Sequence, residues 1–164
     1  MIHLIKGNGK GKTTASVGLS VRAAGHGFKV LFIQFLKDES SGEITVLKKI
    51  PEITVMHAPV NYGFTFNMTE EQKEETAKEY EKLIDKAISS DAFIIVLDEV
   101  LHALNAGMIK KEQIQSLLEK DAEIVLTGWD APDWLIERAD YISDIQNIRN
   151  PYNKGMNARI GIEY

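Results

Sequence analysis

Residues 7–14 read Gly7-Asn8-Gly9-Lys10-Gly11-Lys12-Thr13-Thr14, a run whose residue types together suit a polyphosphate. Glycines let the backbone curl and present its amides to phosphate oxygens with no Cβ in the way. Lys12 supplies a mobile cation, and Thr13 supplies a hydroxyl for a magnesium ion. A helix opening at this point adds free amides and the positive end of its dipole. The bland alternative is a glycine-rich turn that only starts a helix. The coincidence of strand, glycines, Gly-Lys-Thr and helix argues against it. One departure counts. The common spacing, G-x-x-x-x-G-K-[ST], puts its first glycine at position 6, which here is Lys6, and the first glycine is Gly7. The loop is one residue short, so ordinary hydrolysis at the γ-phosphate does not follow from it.

A second constellation is Phe93-Ile94-Ile95-Val96-Leu97-Asp98-Glu99, an apolar run ending in two carboxylates. In phosphate-loop proteins such a strand is expected beside the first one, its terminal acid holding a metal directly or through water. Strand alternation sends Asp98 and Glu99 to opposite faces. One then serves the metal and the other the nucleotide or the backbone. Standing alone, the pair would read as a solvated strand end; the phosphate loop gives it a function.

Strands and helices must bring these groups together. Apolar runs at 2–5, 30–36, 93–97 and 123–126 read as buried strands, short, β-branched or aromatic, and without polar alternation. Residues 53–56 and 141–148 add two more, and 159–164 is expected as an edge strand. Helical patterns cover 13–24, closed by Gly25 and Gly27, and 69–89, opened by a capping box between Thr69 and Gln72. Residues 109–119 and 133–139 complete the set. Strands alternating with helices predict an α/β fold, a mostly parallel sheet with helices on both faces, of the P-loop NTPase-like (RecA-like) kind. Ligands then bind at the carboxyl ends of the strands, where both constellations fall. No repeat or linker breaks the chain, so residues 1–164 are expected to form one domain.

Composition bounds the rest. A chain of 164 residues has room for a full core. A formal net charge of -5 argues against a surface that wraps nucleic acid, although Lys6, Lys10 and Lys12 make a local basic patch. The absence of cysteine excludes disulfides and thiolate metal sites and agrees with a cytoplasmic home. No stretch approaches the roughly 20 apolar residues of a membrane span, and the opening run is too short for a signal peptide.

With these pieces placed, the chain resembles the phosphate-loop ATP:corrinoid adenosyltransferases of the CobA/BtuR type, also called cob(I)alamin adenosyltransferases. The resemblance rests on the loop, on Arg22-Ala23-Ala24-Gly25-His26-Gly27, Gln34-Phe35-Leu36-Lys37 and Gly63-Phe64-Thr65, and on Val96-Leu97-Asp98-Glu99-Val100. It continues through Thr127-Gly128, Ala139-Asp140, Pro151-Tyr152-Asn153-Lys154-Gly155 and Ala158-Arg159-Ile160-Gly161-Ile162-Glu163-Tyr164, in the family's order. The short loop is itself a family feature.

The resemblance implies transfer of the 5′-deoxyadenosyl group of ATP to the Co(I) centre of a reduced corrinoid, with triphosphate leaving whole and ATP held in the reverse of the usual direction. It implies that Gly9, Lys10, Gly11, Lys12, Thr13 and Thr14 bind triphosphate, with Gly7, Asn8 and Arg22 near the nucleotide. Thr13 and Glu99, with Asp98 beside them, would hold magnesium or manganese. Lys12 and Thr13 would act on the leaving group by positioning and charge, with no protein nucleophile. Phe64 and Phe66, in a segment where the family has Gly-Phe-Thr-Trp, would crowd the lower face of the corrin and displace its axial ligand. The alternative for these two is a pair of core aromatics. A homodimer and a reduced flavoprotein electron donor are implied as partners.

Departures from the family pattern are Phe66 for tryptophan, Trp129 where Thr-Gly-Arg is usual, Arg149-Asn150 for Lys-His, and Val100-Leu101-His102 after Glu99. The sequence also begins at the first strand, where some members carry a further helix. Two other readings stand beside the transferase: a phosphate-loop ATPase or kinase that cleaves the γ-phosphate, and a non-catalytic nucleotide- or corrinoid-binding module. The four histidines show no ligand spacing, and His102 reads as surface or core.

Overall fold

The computed structural model describes residues 1–37, 41–59 and 68–163, apart from the side chain of Lys154. Its strands are β1 (Ile2–Lys6), β2 (Val30–Gln34), β3 (Ile53–His57), β4 (Ile94–Asp98), β5 (Glu123–Gly128) and β6 (Tyr141–Asp144). Its helices are α1 (Lys12–Ala24), α2 (Gly42–Leu47), α3 (Glu70–Ser89), α4 (Val100–Asn105), α5 (Lys111–Leu118) and α6 (Asp133–Arg138), followed by a 3-10 turn at Pro151–Lys154. Every strand pair is parallel, in the order β3-β2-β4-β5-β1-β6.

Period-2 geometry divides each strand between two cores. Leu4, Leu31, Ile33, Ile95, Leu97, Ile124 and Leu126 face one side, where α3 to α6 supply Tyr80, Ile84, Leu101, Leu117 and Leu135. Ile5, Val30, Phe32, Ile94, Val96 and Val125 face the other, against Ala23 and Ala24 of α1 and Ile44 and Leu47 of α2. Both faces are covered, which is why β2 and β4 are buried at every position and why their sequences show no polar alternation. The α/β reading with helices on both faces holds.

Thr69 opens α3 through the expected capping box: its hydroxyl accepts from the Gln72 amide at 3.2 Å, and its own amide donates to Gln72 Oε1 at 3.0 Å. Of the two glycines after α1, Gly27 takes the left-handed conformation, φ 77°, while Gly25 stays helical.

Several expectations need correcting. The acidic strand β4 does not lie beside β1. β5 separates them, pairing with both. β5 is almost wholly buried and has neighbours on both edges, while β6, exposed at every position, flanks the sheet. β2 ends at Gln34, because Leu36 turns out of the strand with φ 57°. β6 ends at Asp144, because the chain beyond it bonds to the phosphate loop instead. Residues 160–163 form a turn, not an edge strand, closed by Glu163 accepting from the Arg159 amide at 2.8 Å. Helices α2 and α4 are too short to leave a periodic signal.

Candidate functional site

β1, β2, β4 and β5 all finish at one edge of the sheet, at Lys6, Gln34, Asp98 and Gly128. The phosphate loop leaves β1 there and enters α1 at Gly11, whose φ of 120° favours glycine. The first half of the loop is spent on its own shape. The Gly7 amide donates to the Trp129 carbonyl at 2.9 Å and the Gly9 amide to the Ile145 carbonyl at 2.7 Å. A Cβ at either glycine would collide with the Ile145 carbonyl, so close packing against residues 144–146 requires glycine at both. Asn8 Oδ1 accepts from the Asn147 amide at 2.8 Å. Amides free to meet an anion are therefore left to the second half of the loop and the start of α1, Lys10 to Thr14, where a helix leaves its first amides without intrahelical partners.

The lysines there are held by the protein. Lys12 Nζ donates to the Gly9 carbonyl at 3.0 Å. Lys10 Nζ lies 3.1 Å from Glu163 Oε1. The Glu163 carboxyl is lowered to about 2, chiefly by its hydrogen bond from Arg159. Lys6 pairs with Asp144 at 3.2 Å.

Asp98 is the hub. Its side chain is fully buried. Its Oδ2 accepts from Thr13 Oγ1 at 3.1 Å, Gln34 Nε2 at 3.2 Å and Lys37 Nζ at 3.2 Å, and its Oδ1 accepts from Thr127 Oγ1 at 2.8 Å. A buried carboxylate is tolerable only with partners on this scale. They come from α1, β2, the turn after β2 and β5, so four elements are tied through one acid. Lys37 Nζ also donates to Thr13 Oγ1 at 3.0 Å.

Glu99 follows at φ 61° and ψ 18°, a left-handed conformation that costs a non-glycine residue about 1–2 kcal/mol. Its amide donates to Thr127 Oγ1 at 2.9 Å, which fixes the turn from β4 into α4. Because Glu99 lies beyond the strand, strand alternation does not set its direction as expected. Its carboxylate accepts from His102 Nδ1 at 2.7 Å, one helical turn on. Burial pushes the Glu99 carboxyl up, but the His102 hydrogen bond and the charges of Lys37, His102 and Lys12 outweigh this and hold it below its usual value.

The hydroxyl and carboxylate oxygens of Thr13 and Asp98 are hard donors that suit magnesium or manganese. The Lys37 ammonium bonds to those same two residues, so a cation held by them would compete with Lys37, whose side chain is 31% exposed. Among the described residues no group of three or more His, Cys, Asp or Glu could hold a metal. A metal here would thus draw on phosphate oxygens for further ligands.

The fold gathers Gly7 to Thr14, Asp98 and Glu99 at one edge. It does not bring Arg22 there: that residue is exposed on the last turn of α1, about 15 Å along the axis from Lys12. Phe64 and Phe66 lie outside the described residues. Asn150, one of the departures, caps the 3-10 turn by accepting from the Tyr152 amide at 3.0 Å. Gln34, Lys37, Thr127 and His102 stand with these residues at the same edge, although the sequence reading assigned none of them a role in the site. The available signal was a polar residue ending an apolar strand, at Gln34 and Thr127.

A profile of the family described as ATP:corrinoid adenosyltransferase BtuR/CobO/CobP matches residues 1–164. The chain is 31% identical over 172 residues to the corrinoid adenosyltransferase of Escherichia coli strain K12, covering all of this chain and 85% of that protein. It is 29% identical over 170 residues to the corrinoid adenosyltransferase of Pseudomonas aeruginosa, covering all of this chain and 82% of that one. The corrinoid adenosyltransferase CobA of Salmonella typhimurium is 29% identical over 171 residues, with all of this chain and 85% of the relative covered.

Proposed function

The chain belongs to the ATP:corrinoid adenosyltransferase family, and from that premise we propose that it transfers the 5′-deoxyadenosyl group of ATP to the Co(I) centre of a reduced corrinoid. The electron pair of Co(I) forms the cobalt–carbon bond. The bond between the ribose 5′-carbon and the α-phosphate oxygen breaks, and triphosphate leaves whole, forming adenosylcobalamin where cobalamin is the acceptor. The observation that carries this reading is the family match over the entire chain, and it favours transfer over γ-phosphate cleavage or mere binding.

The protein's own contribution is charge and position. The whole triphosphate is the leaving group, so the loop must stabilise charge along its full length. Lys12 and Lys10, the amides from Lys10 to Thr14 and the positive end of α1 supply this. Asp98 holds Thr13 and Lys37 in place. Gly7, Gly9 and Asn8 keep the loop in register with residues 144–147, and Thr14 borders the anion site. Magnesium or manganese would be held by Thr13 and Asp98, with Glu99 close by, and would neutralise phosphate charge. Arg22 can reach a nucleotide only from outside the loop's own surroundings.

Residues 1–164 act as one adenosyltransferase domain in this reading. Phe64 and Phe66 crowd the lower corrin face, and a reduced flavoprotein delivers the electron. A homodimer is supported by exposed apolar side chains at Ile142, Ile148, Tyr152, Ile160 and Ile162, on and beyond the edge strand β6. A cytoplasmic location is supported by the cysteine-free composition. No helix among the described residues is long and apolar enough to cross a membrane.

The test is product analysis after anaerobic incubation with ATP, magnesium and chemically generated cob(I)alamin. Adenosylcobalamin with stoichiometric triphosphate is expected. ADP and phosphate with unchanged corrinoid would overturn the assignment.

A further inference from the structure

Asp98 has no free position for a metal. A carboxylate offers about four lone-pair sites, and this one meets a donor at each: Thr13, Gln34 and Lys37 on Oδ2, and Thr127 on Oδ1. A divalent cation can therefore bond to Asp98 only when a donor leaves. Gln34 and Thr127 are buried in inner strands of the sheet. Thr13 has a short side chain fixed on the first turn of α1. Lys37 differs from all three. It has a long flexible stem, and its side chain is 31% exposed.

Lys37 also stands where a cation would. Its ammonium donates to Thr13 Oγ1 at 3.0 Å and to Asp98 Oδ2 at 3.2 Å, oxygens of the two residues that suit magnesium or manganese. Its charge reaches Glu99 as well: burial pushes that carboxyl up, and Lys37 is among the charges that hold it down. The groups read as the metal's holders thus already face one positive charge supplied by the protein. A divalent cation arriving alone meets that ammonium at contact range and is repelled. Arriving with triphosphate, it brings phosphate oxygens that complete its ligand set. The same oxygens offer the displaced ammonium an anion in exchange.

We propose that Lys37 is a placeholder for the metal: in the nucleotide-free protein its ammonium occupies the cation position at Thr13 and Asp98, and a divalent cation takes that position only together with a triphosphate chain. The assignment rests on the reading of Thr13 and Asp98 as the metal's holders and deepens it. Asp98 is then never left as an uncompensated buried charge, which is costly, and no bare metal fills the site ahead of the nucleotide.

The experiment is equilibrium dialysis of the full chain against manganese chloride, alone and with ATP in both compartments, counting the manganese that the protein retains. The parent is expected to retain manganese with ATP and little without it. Lys37→Met removes the charge and is expected to bind manganese without nucleotide roughly tenfold or more tightly than the parent. Lys37→Gln, a second neutral variant that keeps a donor, should do the same and covers the case where methionine disturbs the fold. Lys37→Arg keeps the charge and should stay as weak as the parent. Adding Asp98→Asn to Lys37→Met should abolish the gain, which separates this acid from the rest of a chain with net charge -5. A parent that holds manganese as tightly without ATP as with it, neutral variants that gain nothing, or an arginine variant that gains as much as methionine overturns the proposal. Retention by neither parent nor variants in the presence of ATP removes the metal reading and the placeholder with it. Nucleotide-dependent retention by a protein that forms no adenosylcobalamin sinks the transferase reading and leaves the role of Lys37 standing.

Discussion

Lys37 Nζ lies 3.2 Å from Asp98 Oδ2, an ion pair between a fully buried carboxylate and a lysine that still reaches solvent. Lys37 comes from the turn after β2 and Asp98 from the end of β4, so the pair joins two adjacent strands at the edge where the phosphate loop opens. The acid orients Thr13 as well as Lys37. Positive charge is thereby stored beside the loop on a rigid base, as a site that stabilises a departing polyanion needs.

Lys12→Ala is expected to lower turnover by about a hundred- to a thousandfold, the scale on which removing one preorganised electrostatic group acts. Among the described residues Lys12 bonds to the nearby Gly9 carbonyl alone, so the melting temperature should stay close to that of the parent. Steady-state kinetics with preformed Co(I), alongside a thermal melt, checks this. Unchanged turnover would contradict the phosphate-loop role.

Thr127→Val replaces the hydroxyl that accepts from the Glu99 amide and donates to Asp98 Oδ1. Both partners are left short inside the protein, at about 1–3 kcal/mol per unsatisfied group. Urea unfolding should show a loss of roughly 2–6 kcal/mol. Thr127→Ser, which keeps the hydroxyl, should restore most of it. A valine variant as stable as the parent would show that the bridge carries no weight.

Tyr80 acts on the site from a distance. Its phenol oxygen accepts from the Leu36 amide at 2.9 Å, steadying the left-handed residue that precedes Lys37. Tyr80→Phe is expected to cost about 1–2 kcal/mol and to raise the KM for ATP more than it lowers kcat. Burial pushes the phenol pKa above its usual 10, with the Leu36 bond working the other way. A raised folded-state pKa means that the contribution is complete below pH 10 and fades as pH climbs through the folded value. Parent and variant melts should therefore differ fully at pH 8 and converge above pH 10.

Phe64→Ala tests the corrin-face role. Turnover from Co(II) with a reductant should fall well below turnover from preformed Co(I), because only the first route needs the axial ligand removed. Parallel rate measurements on the two substrates decide it, and equal losses would count against the role.

The phosphate loop, the α/β class and the capping box at Thr69 were legible in the sequence because each is local. Glycine freedom, strand periodicity and a side chain reaching an amide three residues away depend on neighbours along the chain. The apolar run ending in Asp98 was legible for the same reason. Its place in the sheet was not. β5 entered between β1 and β4, pairing with β1 across more than a hundred residues of chain although β4 lies far closer in sequence.

The Asp98 hub was likewise invisible. Gln34, Lys37 and Thr127 lie up to 64 positions from it, and only strand register sets their hydroxyl, amide and ammonium groups around one carboxylate. The direction of Glu99 came from its left-handed backbone, which no spacing rule announces. By itself the sequence determined a loop whose residue types suit a polyphosphate and most of the buried strands and longer helices, since those are properties of residue type and local geometry. Tertiary structure alone decided which loop amides are already committed and what Asp98 holds, because burial and pairing are settled only when distant segments meet.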